Sequence, residues 1–150
     1  MRLAAVLVLA FTTALPATVK AASVDELFQQ FGLFGTWAID CAGEASPADP
    51  HVSITTPAPG LVLEEHNLGP DYAVNHYTVL SAERLSGDRL AVEVIFQPGD
   101  ENEERQRLVF LVRNGTRRTM FNQPEGGEVR VDDGIVVSRG SRTPVLKKCE

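Results

Sequence analysis

The stretch Arg107-Leu108-Val109-Phe110-Leu111-Val112-Arg113-Asn114-Gly115-Thr116-Arg117-Arg118-Thr119-Met120-Phe121-Asn122 decides the fold class. Two runs suited to strands flank Asn114-Gly115. Asn-Gly is favoured at the centre of a two-residue hairpin because both residues tolerate the positive φ that the turn requires. A turn there sets the register. Arg113 faces Thr116, Leu111 faces Arg118 and Val109 faces Met120, while Phe110 faces Thr119 and Leu108 faces Phe121. Apolar side chains then occupy both faces: Leu108, Phe110 and Phe121 on one, Val109, Leu111 and Met120 on the other. One face fills an interior. The other needs a cover, from an amphipathic helix near the N-terminus, from Phe34 or from another subunit, and the helix is the one expected.

Strand and turn signals continue on both sides of this hairpin. Leu90, Val92, Val94 and Phe96 alternate with Ala91, Glu93 and Ile95, the period of a half-buried strand. Upstream, residues 35–41 read as a first strand and 42–50 as a polar, Pro-rich loop. Short strands at 51–55 and 61–66 are split by Pro57-Ala58-Pro59-Gly60, and a longer extended stretch runs over 72–85. Ser86-Gly87-Asp88 is a turn, and the acidic run 99–104 reads as a solvated loop tip. Downstream, 128–132 and 135–139 form a second hairpin around Asp133-Gly134, and 143–149 closes the chain. The single helix is predicted over 24–31, where Val24, Leu27, Phe28 and Phe31 share a face, Ser23 is the N-cap and Gly32 the stop. Eight or nine short strands with no helical crossover make an antiparallel meander. The expected fold is all-β, a small up-and-down barrel of about eight strands with one short N-terminal helix; a sandwich is the alternative.

Residues 1–21 read as a secretory signal peptide, with Arg2, an apolar run from Leu3 to Leu15 and small residues at the cut. Cleavage after Ala21 places Val19 at the −3 position, whereas cleavage after Ala22 would place Lys20 there. The apolar run is shorter than the ~20 residues needed to span a bilayer. No cysteine lies at the junction, which argues against a lipid anchor. Residues 22–150 are then one exported domain, periplasmic or secreted, with no stable membrane insertion. Of 14 Lys+Arg and 20 Asp+Glu, the signal removes Arg2 and Lys20, leaving 12 against 20 and a net charge of −8. Such acidity disfavours nucleic acid and anionic lipid as partners. Cys41 and Cys149, the two cysteines, are expected to pair in an oxidising compartment. Free thiols or a metal site using Cys41 are the alternatives.

Gly35-Thr36-Trp37, entering the first strand after a short helix, resembles the opening of the lipocalins. The chain is also similar to small exported proteobacterial proteins with a Gly-x-Trp-x-x-Asp-Cys start. The lipocalin resemblance implies an eight-stranded barrel whose Trp37 seals the closed end beneath an arginine from a late strand, Arg139 or Arg142. Trp37 as an ordinary core aromatic is the other reading.

Candidate chemistry is sparse. Glu64 and His66 share a strand face, and with His76 they form the one zinc triad worth testing. There is no nucleophile elbow and no phosphate-cradling glycine loop, so no catalytic residue and no cofactor are expected. Arg113, Arg117 and Arg118 cluster about the Asn-Gly turn as a candidate binding rim. The sequence therefore supports a monomeric, non-enzymatic binding protein holding a small apolar or amphipathic molecule in its barrel. A filled barrel acting through its rim on an envelope protein is the alternative, and a metal-assisted hydrolase comes third. An interior cavity of roughly 300 Å³ or more separates the first from the second.

Overall fold

The computed structural model describes residues 21–150. The expected signal peptide therefore lies outside the described residues, apart from Ala21. Helix α1 (Val24–Gln30) begins on a capping box: the Glu26 amide donates to Ser23 Oγ, and the Ser23 amide donates to the Glu26 carboxylate at 2.8 Å. It stops at Phe31, after which Gly32 takes φ +65°.

Eleven strands follow: β1 (Gly35–Ala38), β2 (His51–Ala58), β3 (Leu61–Asn67), β4 (Asn75–Arg84), β5 (Arg89–Phe96), β6 (Glu104–Arg113), β7 (Thr116–Pro124), β8 (Val131–Asp132), β9 (Ile135–Val136), β10 (Ser141–Arg142) and β11 (Leu146–Lys148). Strands β1 to β7 form a continuous antiparallel meander, and β11 inserts between β7 and β1 to complete a closed eight-stranded barrel. Strands β8, β9 and β10 form an annex, hydrogen-bonded to the far part of β7 through Asn122 and Val131. Cys41 and Cys149 are joined, with Cα atoms 5.5 Å apart, just beyond the paired strands β1 and β11.

The hairpin turns are as the sequence implies. Asn114 and Gly115 adopt φ +51° and +70°, and Asp133 and Gly134 adopt +44° and +72°. The β6–β7 register also holds from Arg113 and Thr116 to Phe110 and Thr119. There it slips at a bulge, so Val109 pairs with Phe121 and Leu108 with Asn122, correcting the expected partners Met120 and Phe121. A bulge bends the strand and increases its twist, which a tightly curved ring requires. Strand β1 ends at Ala38, short of the expected Cys41, because the Asp49 carboxylate accepts the amides of Ile39 (2.7 Å) and Asp40 (3.0 Å). The extended stretch predicted from residue 72 pairs from Asn75, and the annex hairpin is two residues per strand, where five were expected.

The core lies inside the ring, where Ile54, Val62, Leu90 and Val92 meet Trp37 and Phe110. Burying each large apolar side chain of this kind contributes about 1.5–3 kcal/mol. Helix α1 packs against β3 and β4 and not over the β6–β7 hairpin, which corrects the expected cover. It lies at the barrel end where the β2–β3 and β4–β5 hairpins turn. Arg84 donates to Gln30 at 2.8 Å and sits 4.4 Å over the Phe31 ring. Phe28 and Leu33, fully buried, close that end against Trp37. The annex covers the outer side of the hairpin only around Met120: the Gly134 amide donates to Met120 O at 2.8 Å, and Met120 is buried.

Candidate functional site

A buried ion pair occupies the middle of the barrel. Alternation along β3 turns Val62, Glu64 and His66 inward, opposite the inward Ile54 and Val52 of β2. Arg117 of β7 pairs with Val112 of β6 and so shares the inward face with Phe110. The two charges meet in a fork: Arg117 Nη2 donates to Glu64 Oε1 at 2.7 Å and Nη1 donates to Oε2 at 3.2 Å. Their side chains are 3% and 7% exposed. Below the guanidinium lies the Phe110 ring, 4.4 Å away. His66 Nε2 is 2.6 Å from Glu64 Oε1, and its ring packs on Tyr77, which packs in turn on Phe96.

Burial pushes the Glu64 carboxyl up, but Arg117 and His66 outweigh it and hold its pKa at about 2. Burial, with the charge of Glu64 second, pushes the Tyr77 phenol above its ordinary range, so it stays protonated. Toward the barrel end remote from α1 a polar chain leads from buried Gln106 out to the surface. Asn122 donates to Gln106, Gln106 donates to Glu104, and Arg130 clasps Glu104 with both terminal nitrogens. A cavity of about 30 Å³ remains beside Glu64, Tyr77, Phe110, Arg117 and Thr119. That is room for about one water molecule.

The structure separates the three weak zinc candidates, Glu64, His66 and His76. Glu65 and His76 are register partners on the outer face, with His76 Nδ1 3.1 Å from Glu65 Oε1, while Glu64 and His66 point inward. Glu64 is also already engaged by Arg117. Among the described residues no three metal-ligating side chains converge.

The arginine rim disperses as well. Arg117 is inside the ring. Arg118 faces outward, donating to Gly134 O at 2.9 Å and to Thr143 Oγ1 at 3.2 Å. Arg113 is exposed and bound to Asp88, which its hydrogen bonds hold below the usual carboxylate range. Alternation along β7 is the physical reason, since neighbouring residues point to opposite faces. Trp37 is 1% exposed and donates from Nε1 to Leu33 O at 2.7 Å. The cation over its indole is Lys148, 5.7 Å from the ring centre, which also donates to Gly32 O. Arg139 lies exposed in the turn after β9 and Arg142 is exposed on β10.

Sequence reasoning missed the Glu64–Arg117 pair, although one signal pointed to it. The hairpin register already put Arg117 opposite Val112 and on the face of Leu108 and Phe110, so an inward arginine needing a counter-charge was implied.

Outside the ring the larger hollows are open. One of about 930 Å³ lies between residues 124–130 and 136–139, and another of about 360 Å³ crosses β6 and β7 from Leu85 and Arg89 to Asp132 and Asp133. No helix among the described residues is long and apolar enough to cross a membrane. Comparison with family models, with curated proteins and with solved structures gives no match.

Proposed function

We propose that this chain is an exported, non-enzymatic binding module that works through the outside of a filled barrel. The observation that carries this is the interior: an ionised Glu64–Arg117 pair at its centre and about 30 Å³ of free space beside it. A drug-sized ligand needs roughly 300 Å³ or more. Making that room would mean breaking a buried, doubly hydrogen-bonded ion pair, which costs about 3–5 kcal/mol when one partner is lost. The disulfide supports export, because such bonds persist in oxidising compartments and are rare in the cytosol.

A relationship to the lipocalins is part of the same proposal. The helix at one barrel end, the buried Trp37 after Gly35-Thr36 and the eight-stranded ring support it. On this reading the lipocalin architecture is kept while the ligand chamber is filled. Native mass spectrometry of the protein recovered from its own compartment tests the proposal. The expected species is the disulfide-bonded chain beginning at Ala22, without a co-purifying small molecule. A stoichiometric apolar ligand, released on unfolding, would overturn it.

A further inference from the structure

The outer face of β5, β6 and β7 carries a groove of about 360 Å³ whose composition is ordered by sign. Its floor is apolar: Val109 of β6 lies beside Phe121 and Met120 of β7, and Leu85 stands at one edge, 47% exposed. At the β5–β6 side stand two guanidinium groups, Arg89 and Arg107. At the other stand two carboxylates, Asp132 of β8 and Asp133 of the β8–β9 turn. None of these four side chains makes an ion pair or a hydrogen bond with another described residue, whereas Arg105, Arg113, Arg117 and Arg130 are all engaged with acids.

The walls are held by strands. Arg89 pairs in register with Leu111, Val109 with both Ala91 and Phe121, and Asn122 with Val131. From β5 to β8 is three strand spacings, about 14 Å at 4.7–4.9 Å each. Five residues of extended chain, separated by four rises of about 3.3 Å, cover nearly the same length. The larger 930 Å³ hollow is walled mainly by turn residues, and its Arg130 is already spent on Glu104.

We propose that this groove is a docking site for a short extended segment of a partner protein, crossing the strands. The segment carries a carboxylate side chain, an apolar side chain and a lysine or arginine at its first, third and fifth positions, which strand alternation turns to one face. The carboxylate meets Arg89 and Arg107, the cation meets Asp132 and Asp133, and the apolar side chain between them covers Val109 and Phe121. Recognition runs through side chains, because the backbone groups of β6 and β7 are already consumed in the ring. The inference rests on the reading that the barrel works from its outside, and names the partner for that surface.

The test titrates the isotope-labelled protein with an end-blocked pentapeptide of sequence Glu-Ser-Leu-Ser-Lys and follows backbone amide shifts by NMR. The expected result is a set of shifts confined to Arg89, Val109, Phe121 and Asp132. Binding should weaken about fivefold or more for the neutral Gln-Ser-Leu-Ser-Gln peptide, and equally for Glu-Ser-Leu-Ser-Lys on the exposed-site variant Arg107→Glu. The spectrum of that variant reports whether its fold is intact. Absence of groove shifts, or equal affinity for both peptides, overturns the groove and leaves the filled-barrel reading standing. So does binding to phosphatidylcholine vesicles with both peptides inert. Shifts at Val94, Phe110 and Tyr77 on adding a long-chain fatty acid would instead sink the filled-barrel reading itself.

Discussion

Glu64 and Arg117 make opposite contributions to the molecule depending on whether they are kept together. Each is ionised and buried, so removing one strands the other in a medium of low polarity. Arg117→Met should cost about 3–5 kcal/mol by urea unfolding, whereas Glu64→Leu combined with Arg117→Met should be close to neutral or stabilising. Equal losses for the single and double variants would refute this account. The pair also fixes the acid limit. The folded pKa of Glu64, about 2, lies below its unfolded value of 4.5, so its contribution is complete above the unfolded value and disappears as pH falls toward 2. On the order of 3 kcal/mol should be lost across that interval. Urea midpoints measured between pH 5 and 2 should fall more steeply for the native protein than for the double variant. The inward direction of Glu64 is not legible from its own strand. Leu61-Val62-Leu63 puts apolar residues on both faces of β3, so nothing in its alternation says which face receives Glu64.

The elements show where local sequence is sufficient and where it is not. Asn114-Gly115 and Asp133-Gly134 specify their turns by themselves, because the preference for positive φ is a property of those residues. The Ser23–Glu26 cap is equally local. The bulge at Met120 of β7 is not, since it answers to ring curvature set by seven other strands. Nor is the place of α1, which depends on which end of the ring is left open. Gly134 joins both kinds of constraint: it holds φ +72°, and a Cβ there would come within 2.8 Å of Arg118 Nη2. Gly134→Ala should lower stability by about 1–3 kcal/mol in chemical denaturation. In an Arg118→Ala background the loss should shrink toward the roughly 1 kcal/mol of the backbone term alone. A full-sized loss in that background would mean that Arg118 does not limit the site.

At the scale of the whole molecule the sequence reading of a closed antiparallel ring with tied ends is correct, while the candidate side chains it grouped part company, Glu64, His66 and Arg117 to the inside and His76 and Arg118 to the outside. Period-two patterning reports which residues are buried, but an eight-stranded ring can bury them around a chamber or around packed side chains. That choice depends on the volumes meeting across the ring, here Trp37, Phe28 and Phe110 with the Glu64–Arg117 pair, which are remote in sequence. The tie itself is measurable. A bridge between residues 108 positions apart stabilises by about 4–5 kcal/mol in the chain-entropy model. Reduction should therefore lower the melting temperature by about 10 °C or more in calorimetry. An unchanged transition would show that the covalent link adds nothing to the folded ring.

Closure of the ring has a kinetic corollary. The seven-stranded meander from β1 to β7 is assembled through neighbouring hairpins, but β11 must return to β1 across more than a hundred residues, pairing Trp37 with Lys148 and Ala38 with Lys147. Contacts so distant along the chain form late and slowly. Until they do, β1 and the first part of β7 present raw hydrogen-bonding edges to any other nascent copy nearby. The interval between hairpin assembly and the seating of three residues, Leu146 to Lys148, is thus the window in which this protein is most exposed to aggregation, and an oxidant that captures Cys149 early would shorten it.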